Sequence, residues 1–372
     1  MRKVVSVRFR LLLVPALSFC GAVNGQMSTV SRFPGGVLDA SKGMGFTSRA
    51  DGSLVAIDLK NGRQVWRSDA AKSALGLSAG RIVAVDYKAP IAGAFTVVLL
   101  NPESGAVLAR SKEISLGSGS SMQAGAPRFE SRSIGKQELI RWKTQPPLSR
   151  AAFSSLRQAT VPPVETIHTL TLDPLNGQVG SVDETVPAQR NRAAGSIPYL
   201  RDSEWGDSEW ASSPWQTSTG TAELVQEGSG TLAELKLRVS ATSGKTLETS
   251  VGLREEVGDP VVTRDGMYLL AGTGRVSGAK NVFAASDGSK AGTVSVPLGA
   301  RDICVNGGRL YFRQTAGQPG EMRVTALDLK TGAELWSYSL GAVAAGNPPP
   351  HSAVAYAPGG TWERSILNAP RP

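Results

Sequence analysis

Few residues in this chain have the type and spacing to do chemistry. Histidine occurs twice, at His168 and His351, too rarely for the imidazole clusters that hold transition metals. His168 falls in the alternating stretch Thr166–Leu172, which reads as a strand, so its imidazole is expected to be structural and not a base. His351 follows Pro348-Pro349-Pro350 in a loop. The two cysteines are Cys20 and Cys304. Cys304 sits in an apolar run, Ile303-Cys304-Val305, and reads as a buried thiol. A Ser-His-Asp triad is not expected, since no nucleophile elbow is read in the chain. The one patterned group is Asp202-Ser203-Glu204-Trp205-Gly206 followed by Asp207-Ser208-Glu209-Trp210, a five-residue unit written twice, with Trp215 at the same spacing. Three chemistries are open to it. Trp205, Trp210 and Trp215 beside carboxylates can grip a protein partner, or the indoles can fold back to cap a neighbouring sheet. Asp202, Glu204, Asp207 and Glu209 can also be written as calcium ligands, although their spacing is not that of a calcium loop.

These residues need elements to position them, and a period of five belongs to neither helix nor strand, so the tryptophan segment is expected on an inserted loop. The rest of the chain is rich in turn residues, with 42 glycines and 22 prolines among 372 residues. Ser/Thr/Val-rich stretches without a sustained 3.6-residue apolar period predict many short strands and little helix. With 41% hydrophobic and 19% charged residues the chain can bury a full core.

Self-comparison organises those strands. Ala56-Ile57-Asp58-Leu59-Lys60-Asn61-Gly62-Arg63-Gln64-Val65-Trp66 recurs as Ala326-Leu327-Asp328-Leu329-Lys330-Thr331-Gly332-Ala333-Glu334-Leu335-Trp336. Degenerate copies surround Gly105, Gly177, Gly244 and Gly288, so the turn glycines step by 43, 72, 67, 44 and 44 residues. A unit near 43 residues is the length of one four-stranded propeller blade, and the two long steps predict insertions near residues 146–164 and 187–220. Apolar runs such as Leu54–Ile57 and Val324–Leu327 suit strands covered on both faces. The copies with Ala109, Ser181 and Glu248 in place of the tryptophan are expected to pack their blades more weakly.

The motif Ala-x-Asp-x-x-(Thr/Asn)-Gly-x-x-x-Trp resembles the tryptophan-docking repeat of pyrroloquinoline quinone-like (PQQ-like) propellers. The resemblance implies an all-β propeller of four-stranded antiparallel blades, seven favoured within a range of six to eight. Ala56, Asp58, Gly62 and Trp66, with Ala326, Asp328, Gly332 and Trp336, would be its blade-docking residues, and a C-terminal strand would pair into the first blade. The tail from His351 to Tyr356, with Trp362 to Leu367 behind it, reads as the opening strands of another blade. The resemblance is shared with quinoprotein dehydrogenases, but those enzymes carry a vicinal cysteine pair and a calcium-binding Glu, Asn and Asp set, none of which maps here. The expectation is therefore a non-enzymatic protein with no cofactor, and a quinone- or sugar-binding oxidoreductase is the alternative. Within the family, the propeller scaffold of the outer-membrane β-barrel assembly machinery is the functional model.

The N-terminus points the same way. Arg2, Lys3, Arg8 and Arg10 precede an apolar run from Leu11, the pattern of a secretory signal, placed at residues 1–25 with one propeller domain from 26 to 372. Cleavage is expected near Ala22 or Gly25. Leu17-Ser18-Phe19-Cys20 partly matches a lipoprotein box, which makes lipid attachment at Cys20 the competing outcome. Removing the four basic leader residues lowers the formal charge of +9 to +5, and no basic block interleaved with aromatics suggests nucleic acid. No later apolar run is long enough to span a bilayer. The expected protein is exported, periplasmic or extracellular, monomeric, and bound to protein or peptide partners in a bacterial cell envelope.

Overall fold

Leu54–Asp58 is buried from end to end except for its last residue, as a strand must be when other sheets cover both its faces. A computed structural model of the chain describes residues 32–87, 93–116, 129–134, 136–144, 166–185, 198–202, 208–212, 214–217, 219–257, 260–263, 266–273, 277–316 and 320–342. The leader with Cys20, the segment 146–164, Trp205, His351 and the tail beyond 342 lie outside the described residues.

Six sheets, each with an antiparallel blade at its centre, follow one another along the chain. The first holds β1 (Arg32–Phe33), β2 (Gly36–Asp39), β3 (Met44–Ser48), β4 (Leu54–Asp58) and β5 (Gln64–Ser68). The second holds β6 (Ser73–Ser78), β7 (Arg81–Tyr87), β8 (Ala94–Leu100), β9 (Val107–Arg110) and β10 (Ile114–Ser115), and the third β11 (Phe129–Ile134), β12 (Gln137–Thr144), β13 (Thr166–Leu172) and β14 (Val179–Thr185). A hairpin of β15 (Pro198–Asp202) and β16 (Ser208–Ser212) precedes the fourth sheet, β17 (Trp215–Gln216), β18 (Gly220–Glu227), β19 (Glu234–Ala241) and β20 (Thr246–Leu253). A one-turn helix, α1 (Arg254–Val257), leads to the fifth, β21 (Val261–Val262), β22 (Tyr268–Ala271), β23 (Gly278–Ala284) and β24 (Lys290–Val296). The sixth is β25 (Arg301–Asn306), β26 (Arg309–Ala316), β27 (Glu321–Asp328) and β28 (Glu334–Ala342). The architecture is the propeller read from the repeats, with six blades among the described residues.

The repeat motif is a turn and a wedge. In the first blade Asp58 accepts from the Lys60 amide (2.7 Å) and from Asn61 Nδ2 (3.0 Å), and the Gly62 amide donates to the Asp58 carbonyl (2.8 Å). Asn101, Asp173 and Asp328 do the same in their blades, so the turn is closed locally by an acceptor side chain. Ala56 stands across the strand from Trp66, and Ala326 from Trp336, leaving room for each indole to lean outward onto the next blade. There Trp66 Nε1 donates to the Pro102 carbonyl (2.8 Å), and its ring lies 2.6 Å from where a Cβ on Gly105 would stand. Gly105 is thus required twice, by a φ of +69° and by the indole above it.

The same station closes the ring. Trp336 Nε1 donates to the Leu59 carbonyl (3.0 Å) and its ring covers Gly62, with the Arg309 guanidinium on the same carbonyl. The C-terminal strand expected to pair into the first blade falls in the tail, outside the described residues. Every described strand of the first sheet comes from residues 32–68, and among the described residues side chains dock the last blade to the first. Phe33, Leu38, Val55 and Ile57 share one buried cluster with Tyr311, Met322, Val324 and Trp336. Apolar clusters likewise join the first blade to the second, the second to the third, the fourth to the fifth and the fifth to the sixth.

Candidate functional site at the ring axis

The first strands of neighbouring blades approach one another, β25 against β1, β2 against β6 and β6 against β11, so they lie nearest the axis and the outer strands β5, β9, β14, β20, β24 and β28 form the rim. Buried polar groups gather on the inner strands. From β1, Arg32 donates through Nη1 to the Leu75 carbonyl of the second blade (3.1 Å) and through Nη2 to the Ser131 carbonyl of the third (3.5 Å). Nearby, Glu138 on β12 is fully buried and accepts from Ser133 Oγ (2.6 Å). Burial pushes its carboxyl above the usual range, while hydrogen bonds from Ser133, Ser131 and Ser78 and the charge of Arg32 pull the other way. On the sixth blade Arg313, 4% exposed, pairs with Asp302 at 2.6 Å. Arg32 thus ties the first blade to the second and third, while Glu138 Oε1 is buried without a hydrogen-bond partner among the described residues.

Ser78 belongs to Gly76-Leu77-Ser78-Ala79-Gly80, a stretch that fits the Gly-x-Ser-x-Gly pattern, against the expectation that the chain has none. The fold gives it a different job. Ser78 pairs with Arg81 across a two-residue hairpin turn in which Ala79 and Gly80 have φ of 49° and 70°, whereas a nucleophile elbow needs a strand running into a helix. His168 is 2% exposed, stacked on Trp142 at 5.1 Å and 3.3 Å from Glu184 Oε1. Cys304 is buried within the cluster that closes the ring. Among the described residues no group of three His, Cys, Asp or Glu side chains is placed to hold a metal ion, and no helix is long and apolar enough to cross a membrane.

The described part of the tryptophan segment is strand where a loop was expected, with Trp205 outside the described residues: β15 and β16 form a hairpin, and β15 runs parallel to β21, Leu200 opposite Val261 and Arg201 opposite Val262. Because β21 is the first strand of its blade, the hairpin extends the fifth blade on its axial edge. Trp215 takes the capping alternative and not the gripping one. It is 3% exposed, belongs to the core between the fourth and fifth blades and donates from Nε1 to the Gly266 carbonyl at 3.1 Å. The insertion therefore ends before it, since β17 opens the fourth blade. Trp142 makes a similar bond to the Leu116 carbonyl at 3.0 Å. Both indoles sit on inner strands, outside the turn motif, where no spacing rule marks them. Of the four carboxylates written as calcium ligands, Glu204 and Asp207 lie outside the described residues, and Asp202 and Glu209 stand opposite Ser208 and Arg201 on the hairpin strands.

Residues 22–133 match a family model described as outer membrane protein assembly factor BamB. Among solved structures, BamB from Moraxella catarrhalis is similar at 13% identity over 74% of this chain and 80% of that one, with a TM-score of 0.30. The quinohemoprotein alcohol dehydrogenase from Comamonas testosteroni is similar at 9% identity over 85% and 68%, with a TM-score of 0.30. Sqt1 from Saccharomyces cerevisiae is similar at 10% identity over 85% and 87%, with a TM-score of 0.40. The search of curated proteins returned no match.

Proposed function

From a chain built as a propeller of PQQ-like repeats, we propose an exported, non-catalytic protein of the bacterial cell envelope that binds protein or peptide partners on a rigid ring of blades. The match of residues 22–133 to the family described as an outer membrane protein assembly factor carries this reading. The geometry supports it. Side-chain docking holds successive sheets in fixed relation, and a rigid frame lets the connections between blades present a constant surface.

Quinone chemistry does not fit the residues present. The chain has no adjacent cysteine pair, its described cysteine is buried between blades, and the inner strands are bridged by Arg32 and flanked by the added hairpin.

Crosslinking in the native envelope followed by pull-down of the full chain tests the proposal, alongside reconstitution with pyrroloquinoline quinone and calcium and a dye-linked alcohol oxidation assay. Discrete crosslinked partners and no turnover are expected. Turnover without partners would overturn the proposal, and the mass of the mature N-terminus reports whether Cys20 is retained.

A further inference from the structure

Six blades in a ring make six interfaces, and five of them share one construction. A residue on the outer strand or its bulge covers the next blade's turn glycine: Trp66 over Gly105, Ala109 over Gly177, Thr249 over Gly288, Thr293 beside Gly332, and Trp336 over Gly62. Each of these interfaces is also filled by a buried apolar cluster. Between the third and fourth blades neither holds among the described residues. A Cβ placed on Gly244 meets nothing within 4 Å. The third blade contributes only to the cluster it shares with the second, and the fourth only to the one it shares with the fifth.

Strand alternation says what the two remaining faces carry. On β19, Leu235, Leu237 and Val239 point into the core with the fifth blade, so Lys236, Arg238 and Ser240 point to the opposite face. The register sets Glu223, Arg238 and Glu248 in one row and Thr221, Ser240 and Thr246 in another. Arg238 reaches Glu223 at 2.9 Å and Glu248 at 2.6 Å, and Lys236 reaches Glu227 at 2.6 Å and Glu234 at 3.8 Å. Glu223, Arg238 and Glu248 keep 34%, 36% and 36% of their side-chain surface exposed, which a face covered by a packed blade would not. Across from it, Ile140, Trp142, Leu170 and Leu172 of the third blade face the second, leaving Leu139, Arg141, Thr169 and Thr171 on the other side.

Resting on the protein-binding reading above, we infer that this interblade face of the fourth blade is a docking surface for a basic, extended polypeptide segment. Four carboxylates against two cations leave the face with a net charge of −2 in a chain whose formal charge is +9, so the complement is positive. Each cation is already held between two carboxylates, which leaves carboxylate oxygens to receive lysine or arginine from outside. Hydroxyl rows beside the charges, two residues apart along each strand, suit an extended chain whose side chains alternate at the same period.

The test uses the full chain and fluorescein-labelled decapeptides of alternating Lys-Thr or Glu-Thr, read by anisotropy. The Lys-Thr peptide binds and weakens with salt, and Glu223→Gln with Glu248→Gln weakens it at least tenfold. Arg238→Gln, which makes the face more acidic, strengthens it, and Glu103→Gln with Glu321→Gln changes it less than twofold. Equal binding by the Glu223→Gln/Glu248→Gln chain, or equal loss in the Glu103→Gln/Glu321→Gln chain, overturns the inference. So does a wild-type dimer that the cleft substitutions dissolve, which would make the occupant a second copy. Envelope crosslinks that survive those substitutions overturn the cleft alone, while a wild-type chain with no crosslinks overturns the reading beneath it.

Discussion

Replacing Trp336 by alanine removes the wedge that holds the last blade on the first. The indole is 8% exposed, lies on Gly62 and donates to the Leu59 carbonyl at 3.0 Å. Truncating a buried tryptophan costs about 3–5 kcal/mol, a range that includes about 1 kcal/mol for its hydrogen bond. The carbonyl left behind keeps the Arg309 guanidinium as donor, so no orphaned acceptor adds to the loss, and a middle value of about 4 kcal/mol is expected. With a urea slope of about 3 kcal/mol per molar, the unfolding midpoint falls by about 1.3 M. Trp336→Phe keeps most of the ring contact and loses the donor, for about 1–1.5 kcal/mol. Ser181→Ala, at the same motif position on the exposed rim of the third blade, stays within about 0.5 kcal/mol. Circular dichroism of the strand signal against urea gives all three midpoints. If Trp336→Ala moves the midpoint no further than Ser181→Ala, the ring is not closed by docking and the account of the fold fails.

Two further outcomes follow from the same geometry. Gly105→Ala and Gly244→Ala impose the same left-handed backbone on alanine, φ +69° and +86°, but only the first meets an indole. Both lose about 1 kcal/mol for the backbone, and Gly105→Ala loses about 1–3 kcal/mol more for the clash. Equal urea midpoints would mean that the station at Gly105 is no tighter than the one at Gly244. Glu138→Gln tests the buried carboxyl. Its folded pKa is raised by burial above the ordinary 4.5, so the native state binds the proton more tightly. Wild-type stability then falls as pH rises from below the unfolded value through the folded one. Glutamine carries no such loss, so Glu138→Gln melts higher than wild type at pH 8, and the gap narrows toward pH 4. A pH-independent gap in melting temperature would refute the assignment.

How much was legible follows from the range of each interaction. The turn at Asp58 to Gly62 is built from contacts within four residues, and its copy at Asp328 to Gly332 repeats the Asp-to-amide bond and the backbone closure with Thr331 in place of Asn61, so self-comparison finds both and infers blades from their spacing. The wedge is half legible. Trp66 and Trp336 stand at a fixed distance from the turn, but Trp142 and Trp215, equally buried and equally hydrogen-bonded, stand at none. The five-residue repeat around Trp205 and Trp210 carried no signal of a strand. Trp210 lies on β16, held through β15, whose own partner β21 lies about sixty residues further on and binds through backbone groups that any sequence possesses.

What the sequence by itself determined is the unit: its length, its turn chemistry and the small-residue position opposite each indole, all set by neighbours along the chain. Tertiary structure alone decided how the units meet. Closure by side-chain docking, the hairpin on the axial edge of the fifth blade and the polar face between the third and fourth blades depend on what stands across a gap. A strand's alternation tells which residues share a face, but whether another sheet covers that face is fixed only when the ring is assembled.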